Sequence, residues 1–403
     1  MTSNIKQKTI EGIFWAFSER IGQQTIYLFI TIILARLLEP KEFGLIAMLS
    51  IFVSVAQSFI DSGFGQALIQ KQDANHVDEC SIFYFNVFIS VAAAALLCLA
   101  APWIGTFYST PLLAPITYAL SLNLVINAFG IVQTNLLTKS IDFQTQMKVS
   151  FIATILSGAL GIIMAYKGFG VWSLVAQSIA SNLIRTALLW FFHRWRPTWA
   201  FSFTALRSMF AFGSNLFISG LIETIFFNLH LIVIGKMFSA TDLGFYSRAK
   251  GLQGLAAKDI AVSVCRVAFP VFSSIQDEKE RLKTSVRKAL MTMAMINFPL
   301  MVGLAIVAEP LVLLLLTDKW LPCVPYLQLF CVIGALLPLQ EINLNVLKAQ
   351  GRSDLFLWLQ ILKKSLVVIA LIITYRWGIL AIIYGQIVTG LIDYYLNSYY
   401  TER

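Results

Sequence analysis

The sequence predicts an all-α integral membrane protein. We expect about twelve transmembrane helices in two six-helix lobes, 1–200 and 201–403, related by a pseudo-two-fold axis along the membrane normal. Three observations predict this fold: an apolar composition, a series of apolar runs and an internal repeat. Of the 403 residues, 58% are hydrophobic and 13% are charged, and the mean hydropathy is +0.75. Soluble proteins carry about 25% charged residues, so a water-soluble fold could not bury this much apolar surface.

The apolar runs are long enough to be membrane spans, each of which needs about 20 mostly apolar residues. The first run carries Glu19 and Arg20 in its middle and is too long for a cleaved signal peptide, so we expect it to remain as a span. The twelve runs are 10–35, 43–68, 82–105, 113–136, 147–166, 170–192, 208–234, 244–270, 289–316, 324–347, 355–375 and 378–399.

The distribution of basic residues predicts the orientation. If the N-terminus is cytoplasmic, 18 of the 30 Lys and Arg residues fall in inside segments, Lys363 and Lys364 among them, and 8 fall outside. Because cytoplasmic loops are enriched in Lys and Arg, we expect both termini on the cytoplasmic side. The net charge of +9 is then explained by these loops, and no nucleic-acid partner is expected.

An internal repeat divides the chain into halves. Residues 34–45 (LARLLEPKEFGL) align with 234–245 (IGKMFSATDLGF) at an offset of 200, which pairs Glu42 with Asp242. A second match begins at Gly170 and Gly378. Six spans in each half is an even number, so both halves cross the membrane in the same sense, and repeat-built transporters bind substrate between their lobes. The alternative is a duplication that only enlarged a filled bundle.

Polar residues inside the spans favour a hydrophilic cavity between the lobes. A charge in mid-membrane costs about 2.5–3.5 kcal/mol, and such residues usually face the bundle interior or water. We expect three cations, Arg20, Lys258 and Arg266, to bind an anionic, phosphate-bearing ligand. Candidates for polar cavity residues or ion coupling are Glu19, Gln24, Asp61, Asn127, Asn215, Glu223, His230, Glu341 and Asn345.

Two other interpretations of these residues stay open. The polar side chains could form a structural network that joins helices, because interhelical hydrogen bonds contribute about 0.6 kcal/mol each. The cations could also form internal ion pairs, Arg20 with Glu19 or Asp61, and Arg266 with Asp259.

The sequence carries no pattern typical of an enzyme. Its three histidines are far apart, its five cysteines include no CxxC pair, and no HExxH, GxSxG or P-loop motif is present. We therefore expect no catalytic residue, metal site or cofactor, and no direct use of ATP.

Several motifs carry a resemblance to a known family. The segment DSGFGQALIQ at 61–70 resembles the second-span motif of bacterial polysaccharide exporters, the Wzx-type flippases of the multidrug/oligosaccharidyl-lipid/polysaccharide superfamily. The resemblance extends over nearly the whole chain. Similar stretches are LLTKSIDFQ at 136–144, GVWSLVAQ at 170–177, DLGFYSRAKGL at 242–252, DKWLPCVPYLQ at 318–328 and NVLKAQGRSDL at 345–355.

The resemblance implies a function and a location. Such proteins move an undecaprenyl-diphosphate-linked repeat unit across the bacterial cytoplasmic membrane, by alternating access of a cationic central cavity, for O-antigen, capsule or exopolysaccharide synthesis. The implied partners are the lipid-linked oligosaccharide, membrane lipid and other polysaccharide assembly proteins. Arg20 matches the family's arginine-rich first span, and Arg266 or Lys258 matches a basic residue in the eighth.

Some features stay open beside this resemblance. The alternatives to a flippase are a MATE-like exporter of drugs or small metabolites and, less favoured, a membrane enzyme of polysaccharide assembly. Either a proton or a sodium gradient could drive transport. Many relatives have fourteen spans, so a chain with about twelve is expected to be a shorter member or a truncated product.

Overall fold

The computed structural model describes the backbone of residues 2–61, 64–71, 74–275, 278–349 and 353–402. In these ranges the chain forms fourteen α-helices, two short 3-10 segments and no strand. Twelve of the helices have 22 residues or more, whereas α3 and α11 are short. The helices are α1 Thr2–Leu37, α2 Pro40–Asp61, α3 Phe64–Gln70, α4 His76–Phe107, α5 Leu113–Lys139, α6 Phe143–Tyr166, α7 Val171–Phe192, α8 Phe203–Met237, α9 Ala240–Ser274, α10 Lys279–Ile306, α11 Ala308–Leu316, α12 Val324–Ala349, α13 Ser353–Thr374 and α14 Ile379–Glu402.

Most of these helices can cross a bilayer. Within the described ranges, ten helical segments are long and apolar enough to do so, and α1 adds a shorter apolar stretch, Ile21–Leu37. Helix α9 is not among the ten, and it carries six charged residues in its 35. The chain is therefore a multi-pass membrane protein, and the count of twelve spans stays a prediction.

The helix ends follow the internal repeat. Helix α1 ends at Leu37 and α8 at Met237, and each is followed by a helix that begins three residues later. At the start of α2 the Glu42 carboxylate accepts a hydrogen bond from the backbone N–H of Glu39, at 2.8 Å. At the start of α9 the carboxylate of Asp242 accepts one from the backbone N–H of Ser239, at 3.2 Å. The two aligned acids thus close the same turn in each half of the chain.

A second pair of helix starts is also equivalent. Gly170 precedes α7 with φ of +57°, and Gly378 precedes α14 with φ of +97°. Only glycine adopts such backbone angles without steric cost. At Gly170 the backbone also approaches the side chain of Glu42 so closely that a Cβ would lie 2.5 Å from its Oε1.

The chain divides into two compact units, 1–236 and 237–403. This division falls later than the lobe boundary at 200/201 that the sequence predicts. Helix α8 lies almost wholly in the first unit, where the Ser58 and Thr224 hydroxyls are 3.2 Å apart. The rings of Phe59 and Phe217 add a contact with centroids 4.9 Å apart. Helix α2 therefore contacts α8 through these side chains within this unit.

Small residues let the helices of the first unit approach closely. Helix α1 packs along α6, which also packs against α7, and α4 packs against α5. At the α1–α6 contact, a Cβ on Gly158 would lie 2.1 Å from Cδ1 of Ile30. Close backbone approach at small residues is typical of packing between membrane helices.

In the second unit, α12 is the central helix and packs against α9, α10 and α14. The core between α9, α10 and α12 includes Phe272, Met293 and Ile342, all nearly inaccessible to solvent. Helix α13 packs mainly against α14 and more lightly against α12. The three helices α12, α13 and α14 carry the charged residues described below.

Candidate functional site

The polar residues predicted on α1 include one with a clear structural contact. The Ser150 hydroxyl of α6, which is buried, donates a hydrogen bond of 2.8 Å to the Glu19 carboxylate. Gln24 is half-buried on the same helix. Glu19 therefore joins α1 to α6, as the polar-network interpretation expects.

The other predicted residues do not share one environment. Asn127 is half-buried on α5, His230 is half-buried on α8, and Asn345 is buried on α12. Glu223 on α8 and Glu341 on α12 are exposed. Five predicted side chains lie outside the described residues, so the cationic cavity stays a prediction; they are Arg20, Asp61, Asn215, Lys258 and Arg266.

The structure identifies a buried lysine that the sequence analysis misplaced. Lys363 and Lys364 were counted with the inside segments although they fall within the predicted run 355–375, and both lie midway along α13, which continues unbroken from Ser353 to Thr374. Lys363 is only 6% exposed. The charges that act on it are those of Asp393 on α14, Glu341 on α12 and the adjacent Lys364. An ionisable residue at this depth marks a functional site by default.

Unsatisfied polar atoms lie near this lysine. One carboxylate oxygen of Asp393 is buried and has no hydrogen-bond partner in the described chain. Asn397, one turn later on α14, is fully buried, and neither atom of its amide has a partner there. Such groups are costly to bury unless water, an ion or a second conformation satisfies them. The Asp393–Asn397 spacing of four residues on an apolar helix is the sequence signal that could have revealed this stripe.

Polar residues in the first unit join helices. The Asn123 amide of α5 donates to the Ser178 hydroxyl of α7 at 2.9 Å. On α4, Asn86 is 1% exposed, and neither amide atom has a partner in the described ranges. The Asn123 contact is structural, whereas Asn86 leaves an unsatisfied polar site inside the unit.

The family-like motifs at 61–70 and 136–144 meet at one end of the first unit. The Lys139 ammonium donates hydrogen bonds to the backbone carbonyls of Lys71 at 2.6 Å and Leu68 at 3.3 Å. A positive charge there stabilises the C-terminal end of α3. Asp142 accepts a hydrogen bond from the backbone N–H of Thr145 at 3.1 Å and so caps α6. These motif residues fix helix ends rather than line a site.

Residues 193–202, which we name the strap, connect α7 to α8 and are held against the start of α4. The Trp195 indole donates to the Glu79 carboxylate at 2.7 Å. The backbone N–H of Ser202 donates to the Ser81 hydroxyl at 2.8 Å. Arg196 bonds back to the carbonyls of its own segment, at 2.6 Å for His193. The strap is thus an ordered, non-helical segment.

Acid is expected to loosen the strap through His193. Burial first, and then the charge of Arg196, lower the pKa of His193 below its ordinary value of 6.5, and Glu79 and Asp142 offset only part of this shift. The folded protein holds the neutral imidazole, so its stabilising effect is complete above the ordinary pKa and is lost as the pH falls below it. Between about pH 7.5 and about pH 5, wild type should lose more thermal stability in micelles than His193→Gln. An identical pH response of the two proteins would contradict this.

Comparison with known proteins supplies the family. A model of the family described as "Polysaccharide biosynthesis protein" matches residues 33–325. The chain belongs to this polysaccharide biosynthesis protein family. The match confirms the resemblance that the motifs indicated.

Two relatives match this chain over most of their own length. It is 26% identical over 400 residues to the lipopolysaccharide biosynthesis protein WzxC of Escherichia coli K12, covering 98% of this chain and 81% of WzxC. It is also 26% identical over 359 residues to the succinoglycan biosynthesis transport protein ExoT of Rhizobium meliloti, covering 89% of this chain and 73% of ExoT. The structure of the lipid II flippase MurJ in an inward closed conformation superposes with a TM-score of 0.78 at 13% identity, over 97% of this chain and 88% of MurJ. This likeness confirms the predicted fold class.

Proposed function

We propose that the protein carries a lipid-linked oligosaccharide across the bacterial cytoplasmic membrane, for the assembly of a surface polysaccharide. The family match over residues 33–325 carries this proposal. It is supported by the printed functions of the relatives, a succinoglycan biosynthesis transport protein and a lipopolysaccharide biosynthesis protein. The substrate is an undecaprenyl-diphosphate-linked repeat unit, and the step makes and breaks no covalent bond.

In the proposed mechanism, fixed positive charge binds the diphosphate. In this proposal the charge is supplied by Arg20, Lys258 and Arg266, which belong to α1 and α9, and the protein alternates access between the two leaflets. Guanidinium groups suit this role because they bind phosphate oxygens through paired hydrogen bonds. The lipid tail stays in the bilayer, since transfer of its apolar surface into a wet cavity would be unfavourable. Both termini are cytoplasmic, and other polysaccharide assembly proteins receive the product.

Lys363 and Asp393 belong to the same mechanism as ion-coupling residues. Both lie inside apolar helices, and a carboxylate oxygen that has no partner in the described chain is available for a proton or a sodium ion. Binding of either cation would change the charge that Lys363 experiences. Glu341 of α12 is a further member of this group. The driving gradient thus acts on the second unit in this proposal.

A leaflet-accessibility assay tests the proposed function. The purified chain is reconstituted in vesicles with a fluorescently labelled polyprenyl-diphosphate disaccharide, and a membrane-impermeant reductant is added outside. We expect the protein to make the inner-leaflet label accessible, so that the reduced fraction rises well above that of protein-free vesicles. The matched lipid with a monophosphate should move more slowly, because it offers fewer phosphate oxygens.

Two results would overturn the proposal. Vesicles with protein could show the same accessible fraction as vesicles without it, although the protein is folded and inserted. The protein could instead accumulate a small cationic dye and leave the labelled lipid in place, which would favour the drug-exporter alternative.

A further inference from the structure

Large aromatic side chains are exposed around the strap. Trp199 is 98% exposed although its ring stacks on Tyr84, with centroids 5.8 Å apart. Phe191 at the end of α7, Phe201 in the strap and Phe203 at the start of α8 are also exposed. Phe191 lies at the end of the apolar span Val171–Phe192, and the other residues follow this span. Exposed tryptophan at such a position is typical of the headgroup level of a membrane.

Basic side chains are exposed in the same place. Arg194 and Arg196 belong to the strap, and Arg207 lies in the first turns of α8. The Arg196 guanidinium lies 5.2 Å from the centroid of the Trp190 ring. An arginine beside an aromatic ring keeps its charge available to an outer anion.

The nearby carboxylates are already satisfied within the protein. Asp78 forms an ion pair of 2.7 Å with Lys71. Glu79 accepts from the Trp195 indole and lies 3.5 Å from His76. Lys71 thus neutralises Asp78, whereas Glu79 and Asp142 keep charges that act on the strap. The three arginines Arg194, Arg196 and Arg207 outnumber them, so an outer ligand with negative charge is complementary to this region.

The strap is also ordered before any ligand binds. The Thr198 backbone N–H donates to the Cys80 sulfur at 3.3 Å, and the bonds from Trp195 and Ser202 fix both sides of it. The ring of Trp195 lies 5.6 Å from that of Phe83, in the core beneath. An ordered surface loses little conformational entropy when it binds, which favours a specific site.

We propose that the strap and the start of α8 bind the headgroups of anionic phospholipids. The aromatic rings lie at the headgroup level, and the guanidinium groups of Arg194 and Arg207 bind the lipid phosphates. The occupant is an anionic glycerophospholipid of the surrounding membrane and not the transported lipid. This site is independent of the proposed transport function.

Lipid binding to the full chain in neutral micelles tests this proposal. Phosphatidylglycerol and phosphatidylcholine are titrated separately, and bound lipid is counted by native mass spectrometry. Phosphatidylglycerol should bind more tightly. The double variant Arg194→Gln/Arg207→Gln should weaken its binding by at least roughly 10-fold and leave phosphatidylcholine nearly unchanged. Both arginines are exposed, so their replacement should leave the core intact.

A matched control removes the same charge elsewhere. Lys283→Gln/Arg287→Gln takes two exposed basic residues from α10 in the second unit and should leave phosphatidylglycerol binding unchanged. Trp199→Ala should weaken the binding of both lipids. The preference for the anionic lipid should remain, because the substitution removes a ring but no charge. Melting temperatures without lipid verify that each variant is folded.

Three outcomes would overturn the proposal. The α10 control could weaken the binding of phosphatidylglycerol as much as the strap variant does, which would indicate a general electrostatic attraction between basic residues and the lipid. The two lipids could bind equally to wild type. Inorganic phosphate could displace phosphatidylglycerol at equal concentration, which would indicate a site for free anions and not for lipid headgroups.

Discussion

Arg20→Ala is expected to reduce the rate of lipid-linked oligosaccharide flipping by roughly 10- to 100-fold. A hydrogen bond to a charged group contributes about 1.5–3 kcal/mol, and this variant removes the arginine's paired bonds to the diphosphate. The rate is measured in the leaflet-accessibility assay at limiting substrate. Arg20→Lys should recover part of the rate, because it restores the charge but not the paired geometry.

Arg281→Ala is the matched control for this prediction. Arg281 lies on α10, is exposed, and pairs with Glu278 at 3.2 Å. Surface pairs of this kind contribute about 0–1 kcal/mol, so flipping should be unchanged. A normal rate in Arg20→Ala, at equal amounts of inserted protein, would mean that Arg20 forms a structural contact and binds no substrate.

Asp393→Asn is expected to destabilise the second unit by about 0.5–3 kcal/mol, since it removes one of the two carboxylates whose charge acts on the buried Lys363. In this variant Lys363 retains the more exposed Glu341 as its remaining nearby carboxylate. Unfolding in micelles, by denaturant or heat, measures the loss. Glu280→Gln, an exposed acid on α10, should change stability by less than about 0.5 kcal/mol.

The double variant Asp393→Asn/Lys363→Met separates charge coupling from packing. If the two residues interact, the double variant should be more stable than Asp393→Asn alone, because no uncompensated ammonium remains. The cycle also needs the single variant Lys363→Met. If the loss of stability in the double variant equals the sum of the losses in the two single variants, the two charges do not interact. Flipping should stay low in the double variant if the pair couples an ion gradient to transport.

The helices were predictable because their signal is local. The predicted run 113–136 corresponds to Leu113–Lys139, and the run 170–192 to Val171–Phe192. In a bilayer every backbone polar group must bond within its own helix, so apolar length alone is enough to locate the spans. The repeat was predictable too. The capping acids Glu42 and Asp242 and the positive-φ glycines Gly170 and Gly378 can each be recognised in the sequence as single residues.

The neighbours of each helix were not predictable in this way. The Glu19–Ser150 bond joins residues 131 positions apart, and no local pattern reveals that α1 packs on α6. Glu341, which was expected on a cavity stripe, is exposed, and its place in a cavity stays a prediction. The burial of Lys363 was missed because the charge count placed it with the inside segments, and because apolar neighbours on both sides dominate any average over the predicted run 355–375.

The buried lysine also bears on how the protein is made. As α13 leaves the ribosome, it must enter the bilayer with Lys363 at its centre, which costs about 2.5–3.5 kcal/mol on insertion scales. Its main helical contact, α14, is synthesised only afterwards. Release of α13 and α14 into lipid together, as a hairpin, would lower this cost, because α14 brings the carboxylate of Asp393 that acts on Lys363.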